Sequence, residues 1–198
     1  LAALMRWRRD VRRFRTDPVP EDSLARALRA FALAPSVGLS EPWRLLRVES
    51  PARRAACLAN FRDCNARALA CQADDRAATY ARLKLSGMAE APVHLAIFSD
   101  DATPKGHGLG AATMPETRAY SVVGAITHLW LALRAEGLGL GWVSILDQGR
   151  LAQDLDVPPN WRFIGYLCIG WPEEDDTVPE LEREGWETRA QALTLETR

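Results

Sequence analysis

Four arginines, Arg8, Arg9, Arg12 and Arg13, fall within six positions and enclose one carboxylate, Asp10. Guanidinium groups this close repel one another unless anions lie between them. A phosphate monoester is a natural partner, because each planar fork offers it two parallel charge-assisted hydrogen bonds. A solvated helix end, with arginines complementing the dipole, gives the same spacing. Nucleic acid is a third partner, disfavoured because no second basic patch with interleaved aromatics extends the cluster. Asp10 is either an internal counter-ion for the arginines or a carboxylate placed beside a phosphorylated ligand to move a proton. As an anion at neutral pH it suits a base better than an acid.

A second constellation lies far along the chain. Gly137, Gly139 and Gly141 pace a segment that ends in Trp142-Val143-Ser144-Ile145. Glycines at this spacing leave one backbone edge bare for a flat ligand, although a glycine-rich strand packed against a helix looks the same. Ser144 is the one polar side chain among Trp142, Val143, Ile145 and Leu146. A third segment, Ala34-Pro35-Ser36-Val37-Gly38-Leu39-Ser40-Glu41-Pro42-Trp43, is a proline-bounded loop. It either turns Trp43 into the core or offers hydroxyls and backbone amides to a ligand edge.

Other chemistries find little support. No GxGxxG follows a candidate strand, and there is no GxxxxGK[ST], GxSxG or HExxH. Gly106-His107-Gly108-Leu109-Gly110 has glycine spacing but runs into Ala111-Ala112-Thr113-Met114-Pro115 rather than a helix, which disfavours a Rossmann site. A hydrolase on Ser144 lacks a nucleophile elbow. Cys57, Cys64 and Cys71 stack seven residues apart on one helix, about 10 Å between neighbours, too far to bridge. With Cys168 they read as small apolar residues in a reducing cytoplasm. His94, His107 and His128 are scattered, and no metal site is expected.

A net charge of -1 sets up no global field for nucleic acid or an anionic membrane. No apolar run approaches the ~20 residues of a membrane span, and the first residues do not read as a signal peptide. The chain opens on Leu1 rather than Met, so residues are expected to precede it. Its 198 residues, 47% hydrophobic and 26% charged, form one domain over 1–198 with room for a core.

The elements that must position these groups follow from periodicity. A helix ends over residues 1–9, and a second, entered through Pro18-Val19-Pro20, spans 21–33 with Leu24, Leu28 and Phe31 in a stripe. Strands are expected at 43–48, 93–98, 140–146 and 162–169, and helices at 52–70, 75–89, 117–136 and 148–155. The helix at 117–136 is apolar on most sides, as if a second subunit covered one face. Residues 171–198 form an acidic, then mixed, C-terminal arm. The order implies an α+β or α/β fold with a small mixed sheet.

Taken together, the segments resemble the nitroreductase-like flavoproteins. The resemblance covers most of the chain and rests on Arg8-Arg9-Asp10-Val11-Arg12, the Ala34 to Trp43 loop and Tyr80-Ala81-Arg82-Leu83-Lys84-Leu85-Ser86-Gly87. It extends through Leu129 to Gly137 into Gly141-Trp142-Val143-Ser144-Ile145, and through Pro179-Glu180-Leu181 to Gly185-Trp186. The Asp at position 10, where the family's nitroreductases usually carry Ser, is similar to a branch that breaks down reduced FMN with O₂. The product of that branch is 5,6-dimethylbenzimidazole, the lower ligand of vitamin B12.

The resemblance implies an α+β homodimer with FMN sites at the subunit interface and a lid over 60–90. Arg8, Arg9 and Arg12 are expected to hold the phosphate and ribityl chain, with Asp10, Val11 and Leu85 also touching the flavin. Ser36, Leu39 and Pro42 would reach it from the other subunit, and Gly141 and Ser144 would face the ring. Asp10 and Ser144 would be catalytic, Asp10 as a base near the ribityl carbons and Ser144 as a hydroxyl near the ring. Reduced FMN and O₂ would be consumed, with a separate NAD(P)H flavin reductase supplying the former. An NAD(P)H-dependent nitroreductase and a non-catalytic FMN-binding protein are the alternatives. Leu39-Ser40-Glu41 departs from the glutamine-bearing loop of the family; Glu41 is expected to face solvent or pair with an arginine.

Overall fold

The computed structural model describes residues 1–190 and 192–198, with backbone alone at 74 and 75. Among these residues the sheet has four strands: β1 (Trp43–Arg47), β2 (Val93–Asp100), β3 (Gly139–Val143) and β4 (Trp161–Gly170). Their order is β1-β2-β4-β3, and every pair is antiparallel. The expected mixed sheet is therefore antiparallel through its strands. Its parallel component is the bridge between Asp10 and Leu140, where the N-terminal segment lies along the edge of β3.

Side-chain alternation divides the sheet between two cores. Val93, Leu95, Ile97, Leu140, Leu167 and Ile169 face α2 (Glu21–Ala32) and α5 (Thr117–Ala135). Ala96, Phe98, Val143, Tyr166 and Cys168 face α3 (Pro51–Ala70) and α6 (Gln148–Asp154). β2 is buried along its whole length because both faces are covered. In α2, Leu24, Ala27 and Phe31 form the buried stripe, and Glu21 and Asp22 complement the dipole in the first turn. Ser50 caps α3 by accepting from Arg53 N–H, and Asp147 caps α6 by accepting from Arg150 N–H. Burial pushes the Cys57 thiol up to about 11 and raises Cys168 as well, so both behave as small core residues.

Several boundaries differ from the periodicity. α1 spans Ala2–Trp7, and Arg8 is already extended. The helix expected over 75–89 is α4 (Asp74–Arg82), because Leu83 is extended and the next residues pack on the N-terminal segment. A Cβ on Gly87 would lie 2.3 Å from the Phe14 ring. The strand expected to reach 146 stops at Val143. Buried Asn60 bonds both backbone groups of Asp147, at 2.9 and 2.8 Å, drawing the chain off β4 toward α3. On α5, Val122, Ala125, Ile126, Leu129 and Leu133 are buried, whereas Tyr120 and Val123 are exposed. Beyond β4 the chain runs through a short helix, α7 (Glu180–Arg183).

Candidate active site

Asp10 and Val11 lie along the free edge of β3, and Arg13 to Arg15 pair with residues 171–173 beyond β4. Val11 N–H donates to Leu140 O at 3.0 Å, and Trp142 N–H donates to Asp10 Oδ1 at 2.9 Å. Asp10 Oδ2 accepts from Arg12 Nε at 2.9 Å, and Arg12 also donates to Lys84 O at 3.2 Å. Each carboxylate oxygen is thus oriented by one donor and keeps a further lone pair. The glycines of β3 explain this close approach. A Cβ on Gly141 would stand 2.1 Å from Val11 O, and one on Gly139 would stand 2.8 Å from the Val11 side chain. The bare edge expected to receive a flat ligand is filled by the protein's own Val11.

The four arginines divide into two pairs. Arg12 is matched by Asp10, and Arg13 by Glu180 at 3.3 Å. Arg9 donates to backbone oxygens, Thr177 O and Arg8 O, both at 2.7 Å. Arg8 lies over the Trp130 ring at 4.6 Å, and Trp130 in turn donates to Arg9 O at 3.2 Å. Among the described residues neither Arg8 nor Arg9 has a carboxylate in salt-bridge contact. Burial lowers the pKa of both and repulsion from Arg189 adds to it, while Asp10 works against the shift at Arg8 and Asp176 and Glu182 work against it at Arg9. Arg8 and Arg9 are therefore the arginines of the run whose planar forks are chemically suited to an anionic group. The dipole explanation does not describe them, since the last turn of α1 carries Arg6.

Ser144 follows β3, exposed, and among the described residues its hydroxyl has no hydrogen-bond partner. Leu85 is half-buried against the core beneath α3. Ser36, Leu39 and Pro42 lie elsewhere. They precede β1, at the sheet edge opposite β3, with β2 and β4 between. Ser36 Oγ accepts from Glu41 N–H at 3.0 Å, Leu39 is 70% exposed at φ 54°, and buried Pro42 accepts from Asp100 N–H at 2.7 Å. One chain therefore does not bring this loop to Asp10. Glu41 pairs with Lys105 rather than with an arginine. The glycines at 106–110 serve the same loop, since a Cβ on Gly106 would meet Gly38 O at 2.6 Å.

Trp130 and Lys84 escaped the sequence reasoning. Trp130 looked like one more apolar residue of α5, and Lys84 acts through its carbonyl, which carries no residue-type signal. Among the described residues no group of three His, Cys, Asp or Glu side chains is arranged to hold a metal, and no helix is long and apolar enough to cross a membrane.

Comparison with known families gives a match to the nitroreductase family over residues 5–171. The chain belongs to the nitroreductase family. It is 59% identical over 189 residues to a 5,6-dimethylbenzimidazole synthase of Rhodospirillum rubrum, covering 96% of this chain and 90% of that one. A 5,6-dimethylbenzimidazole synthase of Rhodobacter capsulatus is 49% identical, covering 94% and 90%. The fold of this nitroreductase-family chain is similar to that of oxidized iodotyrosine deiodinase bound to FMN and 3-iodo-L-tyrosine. The TM-score is 0.77 at 22% identity, over 100% of this chain and 98% of the other. A nitroreductase family protein of Clostridium novyi aligns with a TM-score of 0.66 at 16% identity, over 89% and 88%.

Proposed function

We propose that this chain converts reduced FMN, with O₂, into 5,6-dimethylbenzimidazole, the lower ligand of vitamin B12. The observation that carries the proposal is Asp10, held between Trp142 N–H and Arg12 Nε inside an arginine run. The two 5,6-dimethylbenzimidazole synthases at 59% and 49% identity support it.

Arg8 and Arg9 would hold the phosphate, because among the described residues no carboxylate is in salt-bridge contact with either. Arg12 and Val11 would lie along the ribityl chain. Reduced FMN supplies an electron-rich ring that reacts with O₂. Asp10 takes a proton from the first ribityl carbons on its free lone pairs while Trp142 N–H and Arg12 fix the carboxylate plane. Ser144, whose hydroxyl is unpaired, donates or relays a proton at the ring. Leu85 packs beside the flavin, Gly141 acts indirectly by giving Val11 and Asp10 room against β3, and the 60–90 segment excludes water as a lid.

A complete site needs two copies. The Ser36, Leu39 and Pro42 loop and the Asp10, Arg12 and Ser144 group occupy opposite edges of one sheet. A homodimer would bring one copy's loop to the other's Asp10, covering the exposed Tyr120 and Val123 of α5. A separate NAD(P)H flavin reductase would supply the reduced flavin. The free cysteines suit a cytoplasmic setting.

The test is anaerobic loading with reduced FMN, admission of air and mass spectrometry of the small molecules. Loss of flavin with appearance of 5,6-dimethylbenzimidazole is expected. Quantitative recovery of oxidised FMN would overturn the proposal in favour of a nitroreductase or a flavin carrier.

A further inference from the structure

Lys84 and Glu90 close the two ends of the loop between α4 and β2, with Lys84 Nζ 2.5 Å from Glu90 Oε1. Little else holds the backbone between them. Among the described residues, no N–H or C=O of Lys84, Leu85 or Ser86 has a backbone partner. Glu90 stands at the anchored end. Its N–H and that of Ala91 donate to Gly87 O at 3.3 and 2.9 Å, Ala91 O lies 3.0 Å from the buried His94 Nε2, and β2 follows at once. The Glu90 carboxylate is half-buried, its Oε2 is shielded without a hydrogen-bond partner, and among the described residues Lys84 is its salt-bridge partner. At the other end, Lys84 O accepts from Arg12 Nη1 at 3.2 Å, and Arg12 Nε donates to Asp10 Oδ2 at 2.9 Å. Gly87 presses on the same segment, since a Cβ there would lie 2.3 Å from the Phe14 ring and 3.2 Å from Arg12 O. An unbroken chain of contacts thus runs from Glu90 through Lys84 and Arg12 to Asp10.

We infer that Glu90 is a positioning residue for the reaction, holding Lys84 so that its carbonyl keeps Arg12 against the Asp10 carboxylate. The inference rests on the role given to Asp10 above. The two oxygens of Asp10 are unequally supported. Oδ1 accepts from a strand N–H, whereas Oδ2 accepts from a guanidinium at the end of a long side chain with many rotamers. Lys84 O is the second acceptor that fixes the plane of that guanidinium. This acceptor sits on backbone without a ladder of its own, so its place depends on the Lys84 side chain being tied to the anchored end of the loop. Without Glu90 the Lys84 ammonium would turn to water and the carbonyl would lose its register with Arg12. The Asp10 carboxylate would then pivot about its bond to Trp142 N–H. A small misplacement of a catalytic group costs rate, and binding through Arg8 and Arg9 would be spared.

Two readouts on the full chain test this. The first needs no flavin: solvent exchange of the Arg12 Nε–H, followed by NMR, is expected to quicken about fivefold in Glu90→Ala, while exchange of the Trp142 N–H changes little. The second is the single-turnover rate of 5,6-dimethylbenzimidazole formation at saturating reduced FMN. It is expected to fall about fivefold in Glu90→Ala with the FMN dissociation constant unchanged. The exchanged pair, Lys84→Glu with Glu90→Lys, keeps both the ion pair and the carbonyl and should restore both readouts. In an Arg12→Gln chain, Glu90→Ala should cost no further rate, because residues that act through one another are not additive. Unchanged Arg12 Nε–H exchange in Glu90→Ala, or the full loss of rate from Glu90→Ala in the Arg12→Gln chain, would overturn the inference and leave the functional reading intact. Absence of product from the wild-type chain would overturn both.

Discussion

Asp10 and Trp142 are joined as if they belonged to one sheet: Asp10 Oδ1 stands where a backbone carbonyl would and accepts the Trp142 N–H at 2.9 Å. One residue on, Val11 continues the ladder with its own N–H on Leu140 O. The carboxylate is thereby aimed on one side by the backbone of β3 and on the other by the Arg12 side chain.

Asp10→Asn keeps an oxygen to accept from Trp142 N–H, but its amide NH2 replaces the oxygen that accepts from Arg12 Nε, and it cannot take a proton. Formation of 5,6-dimethylbenzimidazole is expected to fall by about 10²–10⁴-fold, the usual size of a general-base contribution, with flavin binding retained. Single-turnover product analysis by mass spectrometry checks it; turnover within a few-fold of wild type would remove Asp10 from the chemistry.

Gly141→Ala asks a Cβ to share space with Val11 O, 2.1 Å away. Backbone cannot yield as a flexible side chain does. A loss of about 2 kcal/mol or more of stability is expected, accompanied by detachment of residues 10–12 and weakened flavin binding. Urea denaturation with a parallel flavin titration measures both.

Arg8→Ala should weaken FMN binding roughly tenfold, since a charge-assisted contact to phosphate is lost. Riboflavin affinity should stay unchanged. The ratio of the two dissociation constants is the informative quantity.

His94 carries a pH dependence unrelated to the site. It is fully buried, with Nδ1 2.9 Å from Tyr166 OH and Nε2 3.0 Å from Ala91 O. Burial, aided by Arg54, lowers it to about 4 from an ordinary 6.5. The unfolded chain takes up the proton as pH falls through about 6.5, whereas the folded chain does so only near 4. Stability from this group is thus full above 6.5 and is lost between 6.5 and 4, by about 3 kcal/mol in all. Urea midpoints at pH 7 and pH 4.5 should separate more in the wild-type chain than in His94→Gln.

Val123→Glu places a charge on the exposed face of α5, where Tyr120 also lies. A chain that pairs through this face should sediment as a monomer after the change and lose flavin binding, because each site would lack the other copy's Ser36 to Pro42 loop. Sedimentation velocity decides it; an unaltered dimer would move the interface elsewhere.

The sequence alone determined the local elements and the inventory of chemical groups. Prolines bounded α2, β2 stood out as a compact apolar strand, and the arginine run around Asp10 marked a concentration of positive charge. These signals are short-range, written in residue type and spacing. Tertiary structure decided which groups meet. The glycines of β3 read as an open ligand edge, yet their space is taken by Val11, a residue about 130 positions earlier in the chain. The end of β3 depends on Asn60, a buried side chain of α3. The separation of the Ser36 loop from Asp10 follows from strand order. No local pattern encodes that order, because antiparallel pairing is settled by the burial of both sheet faces at once.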